Sequence, residues 1–308
     1  MTMATVIVHT AGLLTTVQDR GRYGYQRYGM PVSGAMDVFS LELANLLVGN
    51  DHGDACLEAT ISGPELEFTG STWIAITGAD MDPHLNGMGI PMNTAIDVRP
   101  GDRLVFRGLR SGCRAYIAFA GGIAVPPVMG SRSTYLRAGI GGLNGRSLMP
   151  GDELPLGESV GKPRLKKIPE GLIHEYKHEQ TIRIISGPEA HYFEIAGLRS
   201  FLSTEYTVTA QSDRMGYRLS GEPIKHKEGM TNIISAGISL GTVQVPGDGQ
   251  PIILMADRQT SGGYARIANV ITADLTLIAQ MRPGDIVRFR EISMDNAQHL
   301  YLERKNHL

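Results

Sequence analysis

Glycine and proline punctuate this chain from end to end. Its 308 residues hold 38 glycines and 16 prolines. Between the breaks lie short runs of apolar, β-branched and aromatic residues. Such punctuation restricts the chain to many short strands joined by tight turns. Thr72–Thr77, Arg103–Arg107, Ala115–Ala120, Thr181–Ile185, Tyr206–Ala210, Ile252–Met255 and Ile286–Arg290 read as strands. Helical spacing is confined to a few segments. Residues 37–48 place Phe39, Leu43, Leu46 and Leu47 on one stripe, with Asp37 or Ser33 as N-cap and Gly49 as stop signal. A shorter helix is expected in 191–202, and Ser293 is placed to cap a last one running to Lys305. The expected class is all-β with a few short helices, a barrel or a sandwich.

The two halves echo each other. Arg99-Pro100-Gly101-Asp102 precedes an alternating strand, and so does Arg282-Pro283-Gly284-Asp285. Each reads as a Pro-Gly turn that delivers a strand. Ile61-Ser62-Gly63-Pro64-Glu65 recurs as Ile185-Ser186-Gly187-Pro188-Glu189 at a different separation, so the repeat is not clean. The expected division is an N-terminal β lobe over 1–160, a polar linker over 161–179 and a C-terminal β lobe over 180–308. A chain that crosses between lobes would defeat so simple a boundary.

Charge and cysteine usage narrow the function classes. A net charge of −2, with both signs interspersed, offers no footprint for nucleic acid or anionic lipid. Cys56 and Cys113 make neither a zinc site nor a disulfide scaffold, and their apolar surroundings favour inert core thiols. The histidines never take zinc spacing, so no metal is expected. No apolar run spans a bilayer and no secretory pattern opens the sequence, so the expected location is cytoplasmic.

The informative motifs combine an acid, an arginine, hydroxyls and glycine. They are Gln18-Asp19-Arg20-Gly21-Arg22, Ser212-Asp213-Arg214-Met215-Gly216-Tyr217-Arg218 and Asp257-Arg258-Gln259-Thr260-Ser261-Gly262-Gly263. Any one alone is as readily a surface turn with a solvated ion pair. Together they read as a polar site assembled from distant segments. Asp213, Arg214 and Gln259 are the expected catalytic residues. Arg218, Tyr217, Gln244, Asp257, Ser261, Gly262, Gly263, Asp19 and Arg20 are the expected substrate-binding residues. Arginine supplies a forked clamp for a carboxylate or phosphoryl group. Gln244 and Gln259 can read an amide through a paired donor and acceptor. Ser261-Gly262-Gly263 can offer donors to a developing oxyanion. The glycine-rich run Gly139–Arg146 is a weak candidate for a phosphate cradle, and a tight corner explains it as well.

Four longer runs carry a resemblance. Gln18–Asp37, Ser212–Gly221, Thr242–Tyr264 and Ala279–Arg290 resemble the biotin-dependent carboxyltransferase family. Within it they are most similar to the group of 5-oxoprolinase C subunits, also called KipA or allophanate hydrolase subunit 2. Ala115–Asp152 fits the same pattern. Ser261 departs from the more usual threonine but keeps the hydroxyl. The resemblance implies two tandem cyclophilin-like β-barrel lobes. It implies action with two partners, a KipI-like B subunit and an A subunit. The assembly would open the lactam of 5-oxo-L-proline to L-glutamate with ATP hydrolysis. Two alternatives come with it. One is a carboxyltransferase component of the urea/allophanate type using carboxybiotin, for which this chain lacks the Met-Lys-Met acceptor motif. The other is a non-catalytic regulator that binds a KipI-like kinase inhibitor.

Overall fold

The structure is a computed structural model that describes residues 4–158, 163 and 165–305. Strands dominate it, as the sequence leads one to expect. The chain divides into two units. One comprises the N-terminal residues through Tyr23 together with Ser33–Tyr176, and the other comprises Gly24–Val32 and the chain from Lys177 onward.

The first unit holds β1 (Thr5–Thr10), β2 (Leu14–Gln18), α1 (Val38–Val48), β3 (Cys56–Thr60), β4 (Glu65–Phe68), β5 (Thr72–Asp80), β6 (Pro83–Leu85), β7 (Met88–Gly89), β8 (Ala95–Val98), β9 (Arg103–Phe106), β10 (Ser111–Phe119) and β11 (Glu153–Pro155). They form a six-stranded sheet, β11-β1-β4-β9-β6-β7, and a five-stranded sheet, β2-β3-β10-β5-β8. One apolar core takes Val6, Val8, Leu66, Phe68 and Leu104 from the first sheet and Val17, Leu57, Ile76, Ile117 and Phe119 from the second. The period of two along each strand sends these residues to a shared interior.

The other face of the five-stranded sheet is covered by α1, whose Leu43 and Leu47 pack with Cys56, Ala75, Tyr116 and Ala118. Asp37 caps this helix, its carboxylate accepting from Ser40 N at 3.1 Å, and Gly49 ends it in the left-handed region. A buried polar row fixes the helix on the sheet. Glu58 Oε2 accepts from Tyr116 Oη at 2.7 Å and from Met36 N at 2.8 Å. Tyr116 Oη accepts from Asp37 N at 2.8 Å, and Thr77 Oγ1 donates to Ser40 O at 2.6 Å. Burial first, and the Glu58 charge second, push the Tyr116 phenol well up, so it remains a donor.

The second unit holds β12 (Glu179–Ser186), α2 (Ile195–Ser203), β13 (Tyr206–Val208), β14 (Gly216–Ser220), β15 (Asn232–Gly237), β16 (Thr242–Val245), β17 (Ile252–Leu254), β18 (Ser261–Val270), α3 (Leu275–Ala279), β19 (Ile286–Glu291) and α4 (Met294–Lys305). Seven strands close in the order β12-β19-β13-β14-β17-β16-β18, because β18 pairs back onto β12. Among the described residues of this ring, the β12–β19 contact alone is parallel. β15 lies outside the ring, paired to the start of β18. Phe201 on α2 packs against Phe289, with ring centroids 4.5 Å apart.

The repeated Pro-Gly turns share one geometry. Asp102 accepts from Arg99 N at 2.7 Å, and Asp285 accepts from Arg282 N at 2.8 Å. Met149–Asp152 repeats it, with Asp152 accepting from Met149 N at 2.7 Å. Residues 161, 162 and 164 of the expected linker lie outside the described residues. The rest is largely exposed but is pinned to the first unit at a few apolar positions. Ile168 is buried, and Leu165 and Leu172 pack against the cluster under α1. Glu179, expected at the linker's end, already belongs to β12. Among the described residues no helix is long and apolar enough to cross a membrane.

Candidate functional site

In the first unit the loop after β2 is built around Asp19. Its carboxylate accepts from Gly21 N at 2.7 Å, Ser131 Oγ at 2.6 Å and Arg132 N at 2.5 Å, and also from Ser133 Oγ. These donors tie the Arg20–Tyr23 loop to the Ser131–Thr134 segment. Arg20 forms an ion pair with Glu42, and its stem lies over Gly53. Both expected binding residues of this motif are thus held by partners within the chain.

Sequence reading misses what the fold gathers beside them. β2 ends at Gln18, β3 begins at Cys56 and β10 ends at Phe119, so their loops meet at one end of the sheet. There Asp54 borders Gly122, where an added Cβ would stand 3.4 Å from the Asp54 Cβ. Burial is the main cause that raises the Asp54 carboxyl above its ordinary value, while a backbone hydrogen bond and Arg132 pull the other way. The run Asp51-His52-Gly53-Asp54 is the local signal that could have found it, and Arg132 lies 78 positions from Asp54.

In the second unit the expected residues separate into distinct roles. Asp213 is exposed, and its Oδ1 accepts from Met215 N at 2.8 Å and Gly216 N at 3.2 Å. That is an Asx turn leading into β14. Arg214 and Asp257 are buried together, each with 7% of its side chain exposed. Arg214 Nε donates to Asp257 Oδ2 at 3.0 Å and Nη2 to Oδ1 at 3.2 Å. This fork joins the turn before β14 to the segment after β17. Tyr217 and Arg218 are consecutive on β14 and point to opposite faces. The Tyr217 hydroxyl donates inside to Met281 O at 3.1 Å, whereas Arg218 is exposed.

A second group gathers around the start of β18. Arg258 donates to Ile238 O at 3.3 Å, and Ile238 N donates to Thr260 O at 3.1 Å. Gln244 is buried and its Nε2 donates to Tyr264 O at 3.3 Å, which fixes its orientation. Gly262 is extended, yet a Cβ there would stand 2.9 Å from Gln244 Nε2. A side chain here would have to displace the Gln244 amide from this position. Gln259 is half-buried and Ser261 is exposed, so both line the accessible side of this wall.

β15 is irregular opposite this point. Asn232 pairs with Tyr264 and Ala236 with Gly262, so the intervening residues bulge across from Gly263. Ile234, at the tip of the bulge, is 95% exposed. Arg266 anchors the hairpin by donating to Gly237 O at 3.0 Å and by forking onto Glu189, with Nε and Nη2 each 2.6 Å from a carboxylate oxygen. Arg266 holds the Glu189 carboxyl below its ordinary 4.5. A depressed folded value means the stabilisation is complete above 4.5 and is lost as pH falls through the folded value. Glu189→Gln is therefore expected to cost about 1–2 kcal/mol at neutral pH. The gap from wild type should close on acidification, as read by urea denaturation at a series of pH values. A gap that stays constant to low pH would contradict the assignment.

Other residues have no such chemistry. Among the described residues no group of His, Cys, Asp and Glu is placed to hold a metal. Both cysteines are buried, and burial pushes the Cys56 thiol up, away from a nucleophilic thiolate. The Gly139–Arg146 run does not fit a phosphate cradle. Gly139 N donates to Leu136 O and Gly145 N to Gly141 O, closing turns, and Gly142 N donates to Arg132 O across the loop, so these amides are taken up within the chain.

Comparison with known proteins places this architecture. The model of the carboxyltransferase domain, subdomain A and B, matches residues 28–291. The C subunit of 5-oxoprolinase from Escherichia coli (strain K12) is 42% identical over 93% of this chain and 91% of its own length. Its counterpart from Haemophilus influenzae is 36% identical over 95% of this chain and 92% of its own length. The crystal structure of the K. lactis urea amidolyase matches 98% of this chain with a TM-score of 0.93 and 34% identity. That match takes up only 19% of the amidolyase chain.

Proposed function

Because this chain belongs to the carboxyltransferase domain family, subdomain A and B, we propose that it is one component of an ATP-dependent 5-oxoprolinase. It acts with the A and B subunits of that enzyme to open 5-oxo-L-proline to L-glutamate. The observation that carries this reading is the near full-length match to two proteins named as the C subunit of 5-oxoprolinase. Two buried, unbridged thiols are in keeping with a cytoplasmic location.

The chemistry asks for an amide reader and for donors around charge on oxygen. A lactam carbonyl is a poor electrophile, and phosphorylation of its oxygen turns that oxygen into a leaving group. Gln259, Ser261 and the Gly262–Gly263 backbone form the accessible wall proposed to meet the substrate in the second unit. Gln244 acts from beneath by holding this wall in place. Arg214 and Asp257 are proposed to keep the two loops in register, and Asp213 to shape the turn. The glycine-rich run does not fit ATP, so nucleotide binding is assigned to a partner protein.

A second reading has its own support. The close structural match to urea amidolyase favours a carboxyltransferase acting on urea with carboxybiotin supplied by another protein. Product analysis separates the two. The chain mixed with its cognate subunits is expected to release glutamate from 5-oxoproline with ATP. Biotin-dependent carboxylation of urea, without glutamate release, would replace the first reading with the second.

A further inference from the structure

We propose that the loop Ala124–Gly130 of the first unit is a preformed docking tip, and that its occupant is an apolar pocket on a partner subunit of the assembly. The proposal deepens the 5-oxoprolinase reading and rests on it for the identity of that partner.

The run Ala124-Val125-Pro126-Pro127-Val128-Met129-Gly130 carries no polar side chain. Val125 is 2% exposed and enters the core. Ala124, Pro126, Pro127, Met129 and Gly130 are all exposed, and a Cβ added to Gly130 would meet nothing within 4 Å. An apolar tip thus projects into solvent. It is also held rigid. Ala124 N donates to Pro155 O at 2.8 Å, which fixes its start. Val128 N donates to Ser131 O at 2.8 Å and Ser131 N to Val128 O at 3.2 Å, which closes a two-residue turn. Ser131 Oγ and Arg132 N then donate to the Asp19 carboxylate. Between these anchors Pro126 and Pro127 fix their own φ. A contact surface fixed in advance loses little entropy on binding.

Met129 occupies the turn at φ 52° and Gly130 at φ 75°. A two-residue turn with both central φ positive favours Asn-Gly, Asp-Gly or Gly-Gly. Methionine has no local hydrogen bond to offset the left-handed conformation, and with 40% of its surface exposed it gains little from packing. Strain that the chain's own packing does not offset points to a use outside the chain. A flexible, polarizable thioether suits an apolar protein pocket. A small polar substrate finds no hold here, since no side chain of the loop donates or accepts and two of its residues lack a backbone N–H. The loop has no basic residue to hold an anionic membrane either.

The test uses Met129→Asn and Met129→Gly, which suit the turn but remove the apolar tip, and Met129→Leu, which keeps it. The first two should unfold in urea at or above the wild-type midpoint. Binding of the full chain to each purified cognate subunit is measured by calorimetry. Met129→Asn and Met129→Gly should weaken binding to one subunit by about tenfold or more, and Met129→Leu by less than about threefold. A chain as stable alone yet weaker in the assembly is a signature that a purely structural turn would not give. Binding to neither subunit, wild-type affinity in both turn-compatible variants, or a lowered midpoint in both overturns the docking tip. So does Met129-dependent self-association, or Met129-dependent sedimentation with phosphatidylcholine–phosphatidylserine vesicles, in place of subunit binding. If the complete mixture releases glutamate and Met129→Asn assembles like wild type, the tip falls and the 5-oxoprolinase reading stands. If Met129 governs subunit binding but no glutamate is released, the reading falls and the tip stands.

Discussion

Replacing Arg214 with methionine is expected to lower the free energy of unfolding by about 3–5 kcal/mol. The guanidinium and the Asp257 carboxylate lie together away from water, joined by two hydrogen bonds. Removing one partner leaves the other charge buried and uncompensated. The Coulomb energy of the pair does not set this cost, because desolvation already offsets much of it. The double variant Arg214→Met/Asp257→Leu should therefore recover much of the loss, since it leaves no orphaned charge. Urea denaturation of the two single variants and the double variant reads this directly. Single losses under about 1 kcal/mol would place the pair among solvated surface bridges and contradict its role as the clasp between two loops.

Asp19→Asn is expected to cost about 2–4 kcal/mol. The carboxylate is surrounded by donors alone, from two backbone amides and two serine hydroxyls. An amide NH2 would turn donors toward at least one of them. A longer side chain does not fit the same geometry, so Asp19→Glu should not rescue. The readout is the urea midpoint, together with proteolysis of the Ser131–Thr134 segment, which should become accessible. A neutral Asp19→Asn would show that the donors find water instead.

These two residues show how much of the site is legible in the sequence. The motifs around Asp19, Arg214 and Asp257 stand out because acid, arginine and glycine rarely cluster without purpose. Their local turns are also readable. The Pro-Gly-Asp turns, the Asp37 cap and the Gly49 stop follow from short-range chemistry, and the structure repeats them. What the sequence leaves open is pairing across distance. Arg214 reads as a clamp for a ligand, and the fold supplies Asp257, 43 positions away, for the same fork. Tyr217 and Arg218 both read as substrate-binding residues, and the pleat of β14 sends them to opposite faces. Asp54 and Gly122 lie side by side because β3 begins and β10 ends at one rim of the sheet. Gly24–Val32 groups with the second unit, which no composition shift announces. The closed ring of the second unit depends on β18 returning to β12, a contact set by topology.

The measurement closest to the central claim is ATP-dependent glutamate release from 5-oxo-L-proline. It compares the cognate A and B subunits without this chain, this chain alone, and all three together. The account predicts release only in the complete mixture. Equal release by the A and B subunits without this chain would contradict it.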